Sequence, residues 1–266
     1  MFGIDVSVVI PTFHRERQVV EAIGSVLAQN SVSIEVLVLD DSREGSAFDA
    51  VQSVADSRLR YIKRAEPSEG RPALVRNEGA ALARGRYLHF LDDDDVLEND
   101  ALAALAACLD ATPNAGMAFG AIIPFGDDET ILREQQSYFR EAARVARGLR
   151  GRMQLAANLL FHPTILINSA CMARREQFIA SGGYDSEMAV CEDVDLWARI
   201  ARASNFAFVD RPIVRYRTGA PSLMHDLIDN DERLTSAYRR SHRKYRELHG
   251  FGEFSLLKLW ARTTLR

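Results

Sequence analysis

The chain has 266 residues and a formal net charge of −4, with 47% hydrophobic and 26% charged residues. This composition excludes a disordered, collagen-like or low-complexity chain, and the acidic balance gives no general attraction for nucleic acid. The three cysteines, Cys108, Cys171 and Cys191, form neither a CxxC motif nor a disulfide framework. Because no basic leader precedes the first apolar run either, we expect a reducing, cytoplasmic location.

Apolar runs alternate with helical repeats through the first part of the chain. Strands are predicted at residues 6–10, 34–39, 59–62, 87–91 and 118–123. Helices are predicted between them, at residues 19–27, 48–55, 73–83 and 101–109. Strands that alternate with helices predict an α/β fold, in which helices cover both faces of a mostly parallel central sheet.

The pattern changes after about residue 125. Helices are predicted at residues 134–147, 193–203 and 231–249, and short strands near Ala170 and Val209. Residues 153–173 carry no charge but contain polar side chains such as Asn158 and His162. A membrane span is predominantly apolar, so we interpret this segment as buried or site-lining chain.

Charge is concentrated at the C-terminal end of the chain. Residues 239–266 contain eight Lys or Arg and two Glu, a net charge of +6, so the remainder sums to −10. Apolar side chains are interleaved with the last of these cations, namely Phe251, Phe254, Leu256, Leu257, Leu259 and Trp260. This pattern predicts peripheral contact with an anionic membrane surface at its inner face. The alternative is a terminal helix that packs on the domain and keeps its arginines in solvent.

Polar motifs follow three of the predicted strands. Pro11, Thr12 and Phe13 end the first strand, Asp40 and Asp41 the second, and Asp92, Asp93, Asp94 and Asp95 the fourth. Ligands of open α/β sheets bind beyond the carboxyl ends of the strands, so these motifs should share one edge. The four adjacent carboxylates would repel one another unless a divalent cation bound them. A solvated loop that caps the next helix is the alternative reading.

Glu192 and Asp193 precede an amphipathic helix. One interpretation is a general base, and the other is an acidic pair favoured by the helix dipole. The local spacing leaves both open. His162, a lone histidine, is more typical of a structural residue than of a catalyst, and Cys191 of a small buried filler.

The ordered set of motifs resembles the family 2 glycosyltransferases, which have the GT-A fold. The matching segments are residues 6–13, 36–42, 76–79, 90–95, 182–185 and 192–197. The resemblance implies an inverting, single sugar transfer from a nucleotide diphosphate sugar, with uracil as the expected base and Mn²⁺ or Mg²⁺ as cofactor. It implies a glycan or lipid-linked acceptor in envelope polysaccharide assembly, with no nucleic acid partner. We divide the chain into a nucleotide-sugar-binding half at 1–125, an acceptor-binding half at 126–220 and a basic helical tail at 221–266.

The resemblance also implies roles for individual residues. Pro11, Thr12 and Phe13 would line the nucleoside pocket, Asp41 or its neighbour Asp40 would bond the base, and Arg71 and Asn77 would lie on the donor side. Asp92 and Asp93 would approach the ribose and metal, and Asp94 would be the main metal ligand, with Asp92 beside it. Asp193 would be the general base, and residues 162–174 would form the acceptor-side wall.

Two departures from the family pattern qualify this assignment. The histidine that often follows the Tyr216-Arg217 pair is absent at the close position, with His225 as a substitute. The Gln-x-x-Arg-Trp motif of processive synthases is also missing, which favours a single addition. A nucleotidyltransferase and a non-catalytic sugar-nucleotide-binding module are the alternative functions.

Overall fold

The computed structural model describes residues 3–161, 167–219 and 231–264. Its strands are β1 (Val6–Thr12), β2 (Ile34–Asp40), β3 (Leu59–Lys63), β4 (Tyr87–Phe90), β5 (Val96–Leu97), β6 (Met117–Phe125), β7 (Cys171–Arg174) and β8 (Phe206–Arg217). Its helices are α1 (Glu16–Leu27), α2 (Phe48–Gln52), α3 (Pro72–Leu82), α4 (Ala101–Ala111), α5 (Glu129–Gly148), α6 (Arg152–Phe161), α7 (Arg175–Ala180), α8 (Glu192–Ala203), α9 (Asp231–His249) and α10 (Phe251–Thr264).

The strands form one eight-stranded sheet in the order β3-β2-β1-β4-β7-β6-β8-β5. The pairs β3–β2, β2–β1, β1–β4 and β6–β8 are parallel, whereas β7 runs antiparallel to both of its neighbours and β5 antiparallel to β8. The predicted mostly parallel sheet is therefore confirmed. The reversed direction of β7 and the short strand β5 were not predicted, because such short segments carry no sequence pattern that indicates strand direction.

Side chains of the sheet alternate between two hydrophobic clusters, one on each face. Val9, Leu39 and Phe90 belong to the cluster that α3, α6 and α8 cover. Val8 and Ile10 belong to the cluster that α1 and α4 cover. Because both faces are buried, β1 and β2 are mainly apolar runs, broken only by Ser7 and Glu35 near their starts, rather than alternating ones. The predicted helices on both faces are confirmed.

Helix α3 approaches the sheet closely at Gly79. A Cβ atom at this position would lie 2.4 Å from Cγ1 of Val9 and 3.0 Å from Cδ1 of Leu39. The missing side chain therefore lets the helix backbone rest on β1 and β2. This contact sets the position of Arg76, which lies one turn earlier in α3, relative to the carboxyl ends of the strands.

The C-terminal helices are part of this fold. Tyr245 of α9 and Phe254, Leu257 and Ala261 of α10 join the cluster formed by α6 and α8. Arg202 of α8 donates to Glu253 at 2.6 and 2.7 Å. Helices α6 and α7 and strand β5 were not predicted from the sequence, and α10 was predicted only as part of the helical tail. Of the helices in the three described ranges, none is both long and apolar enough to cross a bilayer.

Candidate active site

The carboxyl ends of β1, β2 and β4 bring the predicted motifs to one edge of the sheet. Thr12 pairs with Asp40 in the parallel register of β1 and β2, and Val9 pairs with Phe90 at the end of β4. The chain that leaves β4 runs directly into the four aspartates. The hydroxyl of Thr12 donates to Oδ2 of Asp93 at 2.8 Å, which ties the end of β1 to this acidic loop.

Arginines balance the negative charge of the acidic loop. Nη1 of Arg15 lies 2.9 Å from Oδ1 of Asp93 and 2.6 Å from Oδ2 of Asp94. Arg217, at the end of β8, donates from its backbone N–H to Asp95 at 3.0 Å and from Nε to the carbonyl of Asp94 at 2.9 Å. Arg15, which follows β1, and Arg217, at the end of β8, therefore both stabilise the loop, although they are far apart in the sequence.

Burial of the acidic loop shifts its proton affinity. Burial raises the pKa of Asp93 to about 6, although the Arg15 guanidinium opposes the shift. Burial also raises the pKa of Asp94 and, well above its usual range, that of Asp95, whose neighbours Asp92 and Asp94 add like charge. Positive charge close to the loop therefore stabilises the ionised form of these carboxyl groups.

Arg76 joins the acidic loop to the start of α8. Its side chain is buried, and Nη2 lies 2.6 Å from Oδ1 of Asp92 while Nη1 contacts Oε1 of Glu192. The guanidinium also lies 5.7 Å from the centroid of the Tyr184 ring. Burial alone would lower the pKa of Arg76, but Asp92 and Glu192 raise it overall, so the side chain stays charged.

Asp193 differs from its neighbour Glu192 in its contacts. Glu192 is buried and paired with Arg76, whereas Asp193 is partly exposed and forms no ion pair within the described residues. Its Oδ1 accepts a hydrogen bond from the N–H of Val194 at 2.8 Å. Burial raises the pKa of both carboxyl groups, and the Arg76 charge opposes the shift in each. Of the two, Asp193 is the less buried residue.

The residues at the end of β2 make internal hydrogen bonds. Asp40 accepts from the N–H and hydroxyl of Ser42, the N–H of Ala47 and the hydroxyl of Tyr61, at 2.7 to 2.9 Å. Asp41 accepts from Arg64 at 2.5 Å and from the N–H of Ser68 at 2.8 Å. Asp40 thus shapes its own loop, and Asp41 holds the segment that leads to α3.

The oxygen atoms of Asp92 and Asp94 suit a hard divalent cation such as Mg²⁺ or Mn²⁺. Within the described ranges, however, no three His, Cys, Asp or Glu side chains converge as a metal cage. A cation held by one or two of these carboxylates would need further oxygen ligands from a bound diphosphate. His162 and His225 lie outside the described residues.

Comparison with known proteins identifies the family. The family model described as "Glycosyl transferase family 2" matches residues 7–181. The chain belongs to this family. A Mycobacterium tuberculosis relative, Uncharacterized protein MT1568, is 31% identical over 225 residues, which are 81% of this chain and 68% of the relative.

Two further relatives define the fold and the range of activities. The Campylobacter jejuni GalNAc(5)-diNAcBac-PP-undecaprenol beta-1,3-glucosyltransferase is 35% identical over 101 residues, 37% of this chain and 32% of that enzyme. The crystal structure of S. aureus TarS 1–349 in complex with UDP-GlcNAc has a TM-score of 0.73 at 16% identity, covering 98% of this chain and 73% of that chain. The predicted GT-A fold is confirmed, and the chain spans about a third of the Campylobacter enzyme's length.

The glycosyltransferase domain places most predicted site residues along the edge described above. Phe13 is 56% exposed and its ring is in edge contact with His14, so it offers a face to a ligand. Arg71 directly precedes α3, and its Nε donates to the carbonyl of Ser68 at 3.0 Å. Asn77 exchanges two hydrogen bonds of 2.9 Å with the backbone of Tyr184, so it fastens α3 to the loop before α8. Its contact with a donor stays a prediction.

Sequence reasoning missed three functional features of the glycosyltransferase. No local sequence pattern reveals that Arg15 and Arg217 are partners of the acidic loop. Arg76 lies in a motif that the sequence analysis used, but its bridging contacts were not predicted. The signal available was the charge balance, since four adjacent carboxylates at the end of a buried strand require nearby cations.

Proposed function

We propose that this protein transfers a sugar from a nucleotide diphosphate sugar, uridine-linked, to a hydroxyl group of a glycan or lipid-linked acceptor. The observation that carries the proposal is the Arg76 bridge, which holds the acidic loop of the donor side against the α8 terminus that bears Asp193. The TarS neighbour was crystallised with UDP-GlcNAc, and the Campylobacter relative is named for an undecaprenol-linked glycan. Both names support this class of donor and acceptor.

The donor is expected to lie along the ends of β1 and β2. Phe13 would stack on the base, and Pro11 and Thr12 would line the pocket beside it. Asp41 would bond the base, with the buried Asp40 supporting its loop. Asp92 and Asp93 would face the ribose and diphosphate.

In this mechanism Asp193 removes the proton of the acceptor hydroxyl as that oxygen attacks the anomeric carbon. A new carbon–oxygen bond forms while the bond to the diphosphate oxygen breaks, and its electron pair leaves with the nucleotide. One such displacement inverts the anomeric centre. No covalent enzyme nucleophile is required, and Glu192 keeps its charge balanced through Arg76.

The leaving diphosphate gains negative charge as the bond breaks. We propose that Mn²⁺ or Mg²⁺ is held by Asp94, with Asp92 adjacent, and that the cation supplies electrostatic stabilisation of the leaving group. Arg15 balances Asp93 and Asp94. Its guanidinium is therefore the group that must adjust when a cation binds there.

Product analysis tests this proposal. The protein is incubated with UDP-GlcNAc, UDP-glucose or UDP-galactose and Mn²⁺, without acceptor, and the released products are identified by chromatography. A glycosyltransferase releases UDP and free sugar slowly from its own donor. Sugar 1-phosphate among the products would indicate transfer of the uridylyl group, a nucleotidyl transfer, instead. Binding of UDP without turnover of any donor, even with a glycan acceptor mixture, would indicate a binding module and contradict the proposal.

A further inference from the structure

The exposed cations of α9 form a row. Of the five cations between residues 239 and 246, Arg240 and Lys244 point inwards and contact Asp185 at 2.9 and 3.1 Å. The other three, Arg239, Arg243 and Arg246, are exposed and form no ion pair with the described residues. Their spacing of four and three residues places them on one side of the helix.

Helix α10, which follows directly, carries exposed apolar residues. Phe254 and Leu257 are buried against the domain, so the prediction that they anchor the chain in a membrane is wrong. By contrast, Phe251 is 70%, Leu256 69% and Leu259 61% exposed. A helix that is apolar on both its core side and its solvent side has more apolar surface than folding requires.

Further cations border these apolar residues. Lys258 and Arg262 are exposed and lie one turn apart on α10. The guanidinium of Arg246 lies 5.4 Å from the centroid of the Phe254 ring, which connects the row on α9 to α10. We call the exposed residues of α9 and α10, five cations and three apolar residues, the C-terminal surface.

We propose that the C-terminal surface docks on an anionic lipid bilayer, with its cations at the headgroups and its apolar side chains in the interface. Cations that flank exposed apolar side chains on a helix are typical of interfacial helices. Residues 1–238 have a net charge of −10, so an anionic bilayer would repel the rest of the molecule and orient this surface towards itself.

The surface lies on the helix that borders the candidate base. Ala237, on α9, packs against Met188 and Val190 in the segment that directly precedes Cys191, Glu192 and Asp193. Docking through α9 would therefore hold the acceptor side of the site near the bilayer. This consequence for a lipid-linked acceptor rests on the proposed function, whereas bilayer binding itself does not.

Co-sedimentation with vesicles tests the proposal. The full chain should pellet with phosphatidylglycerol–phosphatidylcholine vesicles at low salt, and stay in the supernatant with phosphatidylcholine alone or at high salt. Arg239→Glu with Arg243→Glu should weaken binding to the anionic vesicles by roughly tenfold or more. Leu256→Ser with Leu259→Ser should weaken it as well, through lost apolar insertion.

Matched controls separate this surface from general effects of charge and polarity. Arg140→Glu with Arg150→Glu makes the same change in net charge at exposed positions outside α9 and α10. Leu82→Ser with Ile179→Ser removes exposed apolar side chains elsewhere. Both controls should pellet like the wild type, and circular dichroism should show every variant folded.

Three results would overturn the proposal. The wild type could stay in the supernatant, the controls could lose binding as much as the surface variants, or the surface variants could convert a dimer into a monomer without vesicles. The last result would assign the surface to a second copy of the chain. Release of UDP from the donor, assayed without vesicles, reports on the proposed function independently.

Discussion

At the scale of single residues, the site is organised by ion pairs that reach across the chain. Arg15 balances Asp93 and Asp94, and Arg76 balances Asp92 together with Glu192. Arg217 donates to the backbone carbonyl of Asp94 and forms its own ion pair with Glu21. Each of these arginines therefore holds specific groups of the site in position. Asp193 alone of the Glu192–Asp193 pair is left without a cation among the described residues.

Removal of the Asp94 carboxylate tests the proposed cation site. Asp94→Ala should abolish the Mn²⁺-dependent part of UDP binding, because the diphosphate and the carboxylate share the cation. In a thermal-shift assay, saturation at 100 Kd stabilises the fold by about 2.7 kcal/mol, so the loss is measurable. Asp210→Ala removes an exposed ion pair with Arg147 and is the control. Equal UDP affinity of the wild type with Mn²⁺ and with EDTA would contradict metal dependence.

Removal of Arg76 tests the bridge. Arg76→Met should lower the free energy of unfolding by about 3–5 kcal/mol, because it leaves the buried carboxylate of Glu192 without its counter-charge. Adding Glu192→Gln should recover part of this loss. Urea denaturation measures both variants. A loss below about 1 kcal/mol, the range of exposed pairs, would mean that the bridge is not a buried ion pair in solution.

At the scale of elements, sequence reasoning succeeded where burial leaves a clear pattern. All seven residues of β2 are buried, and the sequence shows an apolar run that only Glu35 interrupts before Asp40 ends it. Helix α6 was missed because residues 155–160 are buried on all sides, which removes the helical period of polar residues. Strand β5 has only two residues, too few for any period.

The same limit applies to the candidate site. The acidic loop and the Glu192–Asp193 pair stand out because several carboxylates are adjacent in sequence. Arg15 could not be found in this way, since it meets Asp93 and Asp94 only after β1 and β4 pair. Local sequence patterns reveal groups that are close in sequence. Groups that meet only in the folded chain, such as Arg15 and Asp93, leave no such pattern.

The close approach of α3 to the sheet gives a prediction for this element. Gly79→Ala should destabilise the fold, because overpacking costs about 1–3 kcal/mol and exceeds the gain in helix propensity of about 1 kcal/mol. It should also lower donor turnover by displacing Arg76. Gly24→Ala in α1, where a Cβ meets nothing within 4 Å, is the matched control and should be neutral or stabilising. If Gly79→Ala were as stable as Gly24→Ala, the packing described for α3 would be wrong.

At the scale of the whole molecule, one sheet unites residues that are far apart in the chain. Strands β1, β2 and β4 carry the donor-side motifs, and β7 and β8 join the same sheet from the second half. Helices α9 and α10 close the face on which α8 lies, so the basic end of the chain is both part of the core and the bearer of an exposed surface. The account of function therefore requires both halves at once.

The central claim is that Asp193 acts as the base at an edge that binds a nucleotide sugar. The most direct test is the rate of UDP release from the protein's preferred UDP-sugar and acceptor by Asp193→Asn, with UDP affinity measured on the same sample and Asp210→Asn as control. Asparagine keeps the shape of the side chain but accepts no proton, so turnover should fall by roughly 10²–10⁴ while UDP affinity is unchanged. Turnover equal to that of the wild type would contradict the account and assign the base to another carboxylate.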